Sequence, residues 1–257
     1  MAADASSLRV IIHGAGGAIG GAVAEEFARH GAELFLAGLH RNSVNATAER
    51  IRAAGVEQVH VSEVDAYDSP AVDAHANAVV DAAGRIDVML NAVSIPLVQG
   101  TPLLEMSVED VTAPAAAWLR TQFITARAAA VHMVPRGSGT ILTLSASPAR
   151  VAIAGVGGFA AACSAVEALT RTMAAEFGPA GVRAVCLRPQ RILETIGSTP
   201  DLPMPLTEFT RFLESLTTTG KLPTLGEVAK AAVFLAQGGA DSLNGSVLNL
   251  TAGMSAD

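Results

Sequence analysis

The sequence is poor in aromatics, which make up 4% of its 257 residues, and has two cysteines, no cluster of basic residues and no long uncharged apolar run. Each shortage excludes something. Lys and Arg number 17 against 24 Asp and Glu, a net charge of −7, and the cations are scattered, which argues against nucleic acid or another polyanion as a partner. No stretch approaches the ~18 apolar residues of a membrane-spanning helix, so no membrane partner is expected. The opening MAADASSLRVII lacks a basic segment followed by an apolar one, and a cytoplasmic protein is the expectation. Cys163 and Cys186 sit in apolar periodic stretches, as buried free thiols of a reducing compartment do. No metal site is expected.

What is present is apolar bulk. With 50% hydrophobic residues, a chain of this length can bury roughly three quarters of its unfolded surface, and one domain over residues 1–257 is expected. Residues 8–12 are a short β-branched run ending in a glycine cluster, and 22–29 carry apolar residues at helical spacing. The strand-then-helix pattern returns at 32–36 and 43–54, at 58–64 and 70–83, at 86–90 and 111–133, and at 137–144 and 158–176. Strand 183–187, helix 225–236 and strand 246–250 close the series. Crossovers of these lengths suit βαβ units, so the expected fold is α/β: seven strands in one doubly wound parallel sheet with helices on both faces. Residues 193–222 break the rhythm, being rich in Thr, Ser, Pro and Gly around an amphipathic piece at 206–216. Such an insertion in a compact domain is usually functional and reads as a lid over the carboxyl ends of the strands.

His13-Gly-Ala-Gly-Gly-Ala-Ile-Gly20 directly follows the first strand and opens the first helix. Glycines let the chain turn tightly and let a ligand approach the backbone, while a helix N-terminus offers free N–H groups and the positive end of its dipole. Gly14, Gly16, Gly17, Ile19 and Gly20 are therefore candidates for holding a dinucleotide pyrophosphate; a turn that only packs helix on strand is the alternative. After the second strand, Ala37-Gly-Leu-His-Arg41 offers no carboxylate to a ribose. His40 and Arg41 suit a 2′-phosphate, which favours NADP(H) over NAD(H), against the plainer alternative that Arg41 begins a solvated helix.

From about residue 8 to 253 the chain resembles the compact type of the short-chain dehydrogenase/reductase family, single Rossmann-like domains. The resemblance is carried by the glycine turn, by Asn91-Ala-Val-Ser94, by GGFAAACSAVEALTRTMAAEFGPAGVRAVCLRP from Gly157, and by Leu243-Asn-Gly-Ser-Val-Leu-Asn-Leu-Thr-Ala-Gly253. It departs at His13 and Ala18, where compact members have Thr and a middle Gly. The resemblance implies that Asp65, with Ala66, meets the adenine amino group, that Asn91 and Ala92 line the cofactor, and that subunits pair into a homodimer or homotetramer. It also implies a small-molecule substrate and a catalytic Tyr, Lys, Ser and Asn, whose places fall on Phe159, Cys163, Ala146 and Trp118.

None of the four is kept. A phenyl ring has no exchangeable proton, and a thiol near pKa ~8.5 is mostly neutral at pH 7. Losing the general acid alone removes roughly 10²- to 10⁴-fold of rate. Ser145 and Ser147 flank the vacated Ser position and are candidate replacements, with capping of local backbone groups as the alternative. Cys163 is the remaining candidate, as a nucleophile, although no His or Asp lies at an activating spacing. Arg188-Pro-Gln-Arg191 puts bulk and charge where relatives have Pro-Gly, and Arg191 meets either an anionic ligand or Glu194. The expected function is a divergent oxidoreductase acting on a carbonyl or an activated C=C bond. A non-catalytic nucleotide-binding subunit or sensor, and a cofactor-independent cyclase or isomerase, are the alternatives.

Overall fold

Side chains alternate across a strand, and in β1 (Arg9–His13) this sends Val10 and Ile12 to one face of the sheet and Ile11 to the other. The computed structural model describes residues 8–198, 204–238 and 240–256. After β1 come α1 (Ala18–Arg29), β2 (Glu33–Gly38), α2 (Arg41–Ala53), β3 (Val59–Glu63), α3 (Ser69–Ala83), β4 (Val88–Asn91) and α4 (Val108–Arg136). Then follow β5 (Gly139–Leu144), α5 (Gly157–Phe177), β6 (Val182–Pro189), α6 (Leu206–Ser215), α7 (Leu225–Ala236) and β7 (Val247–Leu250).

Neighbouring strands are all parallel, in the order β3-β2-β1-β4-β5-β6-β7. The order reverses between β1 and β4, so crossovers on either side of that point pack on opposite faces and a crevice opens beyond the carboxyl ends. His13 lies level with both Ala37 and Asn91, which brings the ends of β1, β2 and β4 together at the crevice. One core fills the face under α1, α2 and α7 around Phe27, Val44 and Val233. The other lies under α3, α4 and α5 around Val72, Met133 and Met173. Each large buried side chain contributes about 1.5–3 kcal/mol.

Helix ends are written in the sequence. Asp68 caps α3 by accepting from the Ala71 N–H, and capping boxes join Ser107 to Asp110 at α4 and Thr224 to Glu227 at α7. α4 outruns the 111–133 expected from periodicity, because the Ser107 box sets its start and Gly137, at φ 76°, its stop, with Pro114 and Pro135 carried inside. Of the expected lid, Leu193–Ser198 is a short 3-10 helix, and α6 lays Phe209 and Leu213 on Ile196 and Leu222 in a small core of its own. Residues 199–203 of that segment lie outside the described residues. No described helix is long and apolar enough to cross a membrane.

Candidate active site

The turn from β1 to α1 is built of glycine because the space admits little else. Gly14 holds φ 78°, and a Cβ there would stand 2.6 Å from the Ala92 backbone; a Cβ on Gly20 would strike the Gly14 carbonyl. One on Gly16 would meet the Ser43 side chain, which puts the start of α2 beside the turn. No side chain caps α1 at its N-cap, Gly17, so that terminus is left to a ligand or to solvent. Ile19 packs half-buried against the core. His40 and Arg41 are exposed at the start of α2, and the Ser43 hydroxyl donates to the His40 carbonyl at 2.8 Å.

The other expected cofactor residues reach the same rim. Asn91 ends β4; its Nδ2 donates to Thr125 Oγ1 at 3.0 Å and its Oδ1 accepts from the Val93 N–H at 2.9 Å, which pins the chain entering Ala92. Asp65 and Ala66 follow β3, with Asp65 Oδ1 accepting from the Tyr67 N–H. Backbone donors at a helix terminus and the Arg41 cation at the start of α2 fit a phosphorylated dinucleotide, and the glycines leave it room. Ser43 escaped the sequence reading, since only the fold brings it over Gly16.

Opposite this rim, α4 and α5 close a wall without acid or base. The indole of Trp118 stacks on Phe159 with ring centroids 5.8 Å apart and planes 23° apart, packed with Ile95, Ala146 and Cys163. Trp118 is 6% exposed, and its Nε1 has no acceptor among the described residues. The thiol of Cys163, the candidate nucleophile, is buried, and burial pushes its pKa from 9 to about 12, so it stays protonated at neutral pH. Cys186 behind it is pushed to about 11 for the same reason.

The two candidate serines are both buried and both hydrogen-bonded within the protein. Ser145 is buried and donates to Glu167 Oε1 at 2.9 Å; Glu167 in turn pairs with buried Arg188 at 3.3 Å. Ser147, also buried, donates to Gln190 Oε1 at 2.6 Å, and Gln190 Nε2 donates to Met254. Both hydroxyls are thus spent on internal partners. The chain's one tyrosine, Tyr67, lies on the loop before α3. Arg191 is half-buried with its pKa lowered by burial, and the Glu194 carboxylate accepts from the Leu225 N–H.

Beside Phe159 an open pocket of about 490 Å³ is lined by residues 148–154 and Ala160. The C-terminal segment hooks back onto residues 218 and 219. There Ala252, at φ 54°, accepts at its carbonyl from the Thr219 N–H and from the hydroxyls of Thr218 and Thr219.

The profile of the family described as enoyl-(acyl carrier protein) reductase matches residues 14–255. The gluconate 5-dehydrogenase of Gluconobacter oxydans is 29% identical over 97% of this chain and 95% of its own length. The meso-2,3-butanediol dehydrogenase of Serratia marcescens is 30% identical over 96% and 94%. A crystal structure of gluconate 5-dehydrogenase from Burkholderia cenocepacia, in complex with NADP and tartrate, superposes with a TM-score of 0.84 at 26% identity, covering 96% of this chain and 94% of that one. With the parallel seven-stranded sheet and the glycine turn at its switch point, these matches place the chain in the short-chain dehydrogenase/reductase family of oxidoreductases.

Proposed function

We propose that the protein is an NADP(H)-dependent reductase of an activated C=C bond in an α,β-unsaturated carbonyl compound. The observation that carries this reading is the contrast between the two sides of the crevice: the turn keeps Gly14, Gly16, Gly17 and Gly20, while the opposite wall holds Phe159 on Trp118 and a thiol of pKa about 12. Bound reduced nicotinamide supplies a hydride. Hydride addition at the β-carbon needs no enzyme acid at the oxygen, because solvent can protonate the α-carbon of the enolate afterwards, whereas ketone reduction calls for the missing phenol.

The residues divide the remaining work. Gly14, Gly16, Gly17, Ile19 and Gly20 with the α1 terminus hold the pyrophosphate, and Arg41, His40 and the Ser43 hydroxyl read a 2′-phosphate. Asp65 and Ala66 meet the adenine, and Asn91 keeps Ala92 in line beside the turn. The wall of Trp118 and Phe159 shields the β-carbon that takes up the hydride, residues 193–198 and 204–222 lie over it, and the α-carbon is left open to solvent. Exposed Phe123 and Val131 on α4 suit burial in a homodimer or homotetramer.

A second reading, a nucleotide-binding subunit without turnover, is favoured by Gln190, whose side chain ties Ser147 to Met254 where relatives have glycine. Calorimetric titration with NADPH and NADH, followed by NADPH consumption with cyclohex-2-enone, separates the two. The reductase reading expects NADPH to bind about tenfold tighter or more, with enone-dependent consumption that Gly14→Val abolishes. Binding without turnover selects the second reading, and no binding up to millimolar refutes both.

A further inference from the structure

We propose that Trp118 is a ligand-binding residue whose indole N–H donates to the carbonyl oxygen of an apolar substrate that enters past Phe159. The inference rests on the reading above for its chemistry and on geometry for its place. Trp118 is 6% exposed, yet its Nε1 has no acceptor among the described residues. Buried indole N–H groups nearly always have one, since the group gives up hydration on folding and regains it only through a partner. An acceptor arriving with a ligand restores that bond.

The surroundings select the acceptor. Ile95, Ala146 and a neutral Cys163 make the wall apolar, so a ligand oxygen already ionised on entry would be desolvated at a cost, while a carbonyl oxygen enters neutral and needs only a donor. The ring itself is held by its stack on Phe159. Phe159 is half-buried, and its neighbour Ala160 lines the 490 Å³ pocket together with Ala149, which also packs in the same apolar cluster as Trp118. In this proposal a ligand reaches Trp118 from that pocket by displacing Phe159 from its stack.

The bond has a use in the proposed reduction. As hydride from the reduced nicotinamide reaches the β-carbon, the C=C electron pair moves toward the carbonyl and negative charge grows on its oxygen. Solvent then supplies the α-proton, which closes the balance: the hydride brings both electrons, and one proton completes the new C–H bond. An indole N–H keeps its proton throughout and stabilises that oxygen as a fixed donor.

The chain contains a single tryptophan, so its fluorescence reports on this ring alone. Protein without nicotinamide is titrated with cyclohex-2-enone and with cyclohexene, which has the ring but no acceptor, by emission and by calorimetry. The expected result is a saturable emission change with the enone and an affinity margin over cyclohexene of about tenfold. Trp118→Phe, which keeps an aromatic ring without a donor, is expected to lose that margin while binding NADPH as the unaltered protein does. Equal affinities for enone and cyclohexene in the unaltered protein overturn the proposal, as does a margin that survives in Trp118→Phe. A margin lost in Trp118→Phe, with no NADPH bound by either protein, supports the indole site and refutes the reductase reading instead.

Discussion

Moving from pH 8 to pH 5 is expected to remove about 4 kcal/mol of stability through two histidines alone. His13 ends β1 immediately before the glycine turn, and His75 meets it from α3, with ring centroids 5.6 Å apart and edge to face. Both rings are buried, and their Nδ1 atoms have no partner among the described residues. Burial first, and then the charge of His75, lowers His13 from 6.5 to about 3; burial lowers His75 to about 4. Because the folded values lie below the unfolded one, the unfolded chain takes up protons first. The stabilisation is whole above about pH 7, falls as pH drops through 6.5, and is exhausted only below the folded values. At pH 5 each unfolded histidine is ~1.5 units below its pKa, and at about 1.36 kcal/mol per unit each lowers stability by about 2 kcal/mol. Urea denaturation at pH 8 and pH 5 measures the loss. His75→Leu removes one titration and keeps an apolar contact, so its own loss between the two pH values should be smaller by about 2 kcal/mol. Carboxylates contribute equally to both proteins and cancel. Identical losses in the two proteins would refute the assignment of neutral buried imidazoles.

Other consequences are open to direct measurement. Glu167→Gln removes the carboxylate of the buried pair with Arg188, and a loss of about 3–5 kcal/mol, the order for breaking such a pair, is expected, read as a melting temperature lower by roughly 10 °C. Replacing both partners, Glu167→Gln with Arg188→Met, should recover much of it. Arg41→Ala is expected to weaken NADPH about tenfold and leave NADH unchanged by calorimetry. Unchanged NADPH affinity would return Arg41 to the role of a solvated helix start. Cys163 and Cys186, pushed to about 12 and about 11, should resist iodoacetamide at pH 8 in the native protein and react together once it is unfolded; rapid native labelling of Cys163 would restore its candidacy as a nucleophile.

The strands and helices were legible because their apolar residues recur at two spacings, and the glycine turn because its context is local. The start of α4 was hidden by Pro114, which argues against helix by itself, although Ser107 and Asp110 already spelled the cap. The fate of the two serines was not legible. The sequence puts Ser145 and Ser147 at the end of β5, but their partners Glu167 and Gln190 lie 22 and 43 residues away. Glu167 did leave a signal, as a lone carboxylate on the apolar stripe of α5, matched by a lone Arg188 at the end of the apolar strand β6. Ser43 left none, and neither did the tie between Gln190 and Met254, since both depend on how distant loops meet.

The uniformly parallel sheet also governs how the chain reaches this state. Its most local strand pair sets Arg9 beside Glu33, and β1 meets β4 with Val10 beside Val88. No hairpin is available to form first, so every ladder begins with the closure of a loop of two dozen residues or more. Chains with such distant pairings fold on the slow side of the range for their size, and they expose unpaired strand edges while they do so. Yield from refolding or overexpression is therefore governed by concentration and temperature during assembly, even where the finished fold is stable.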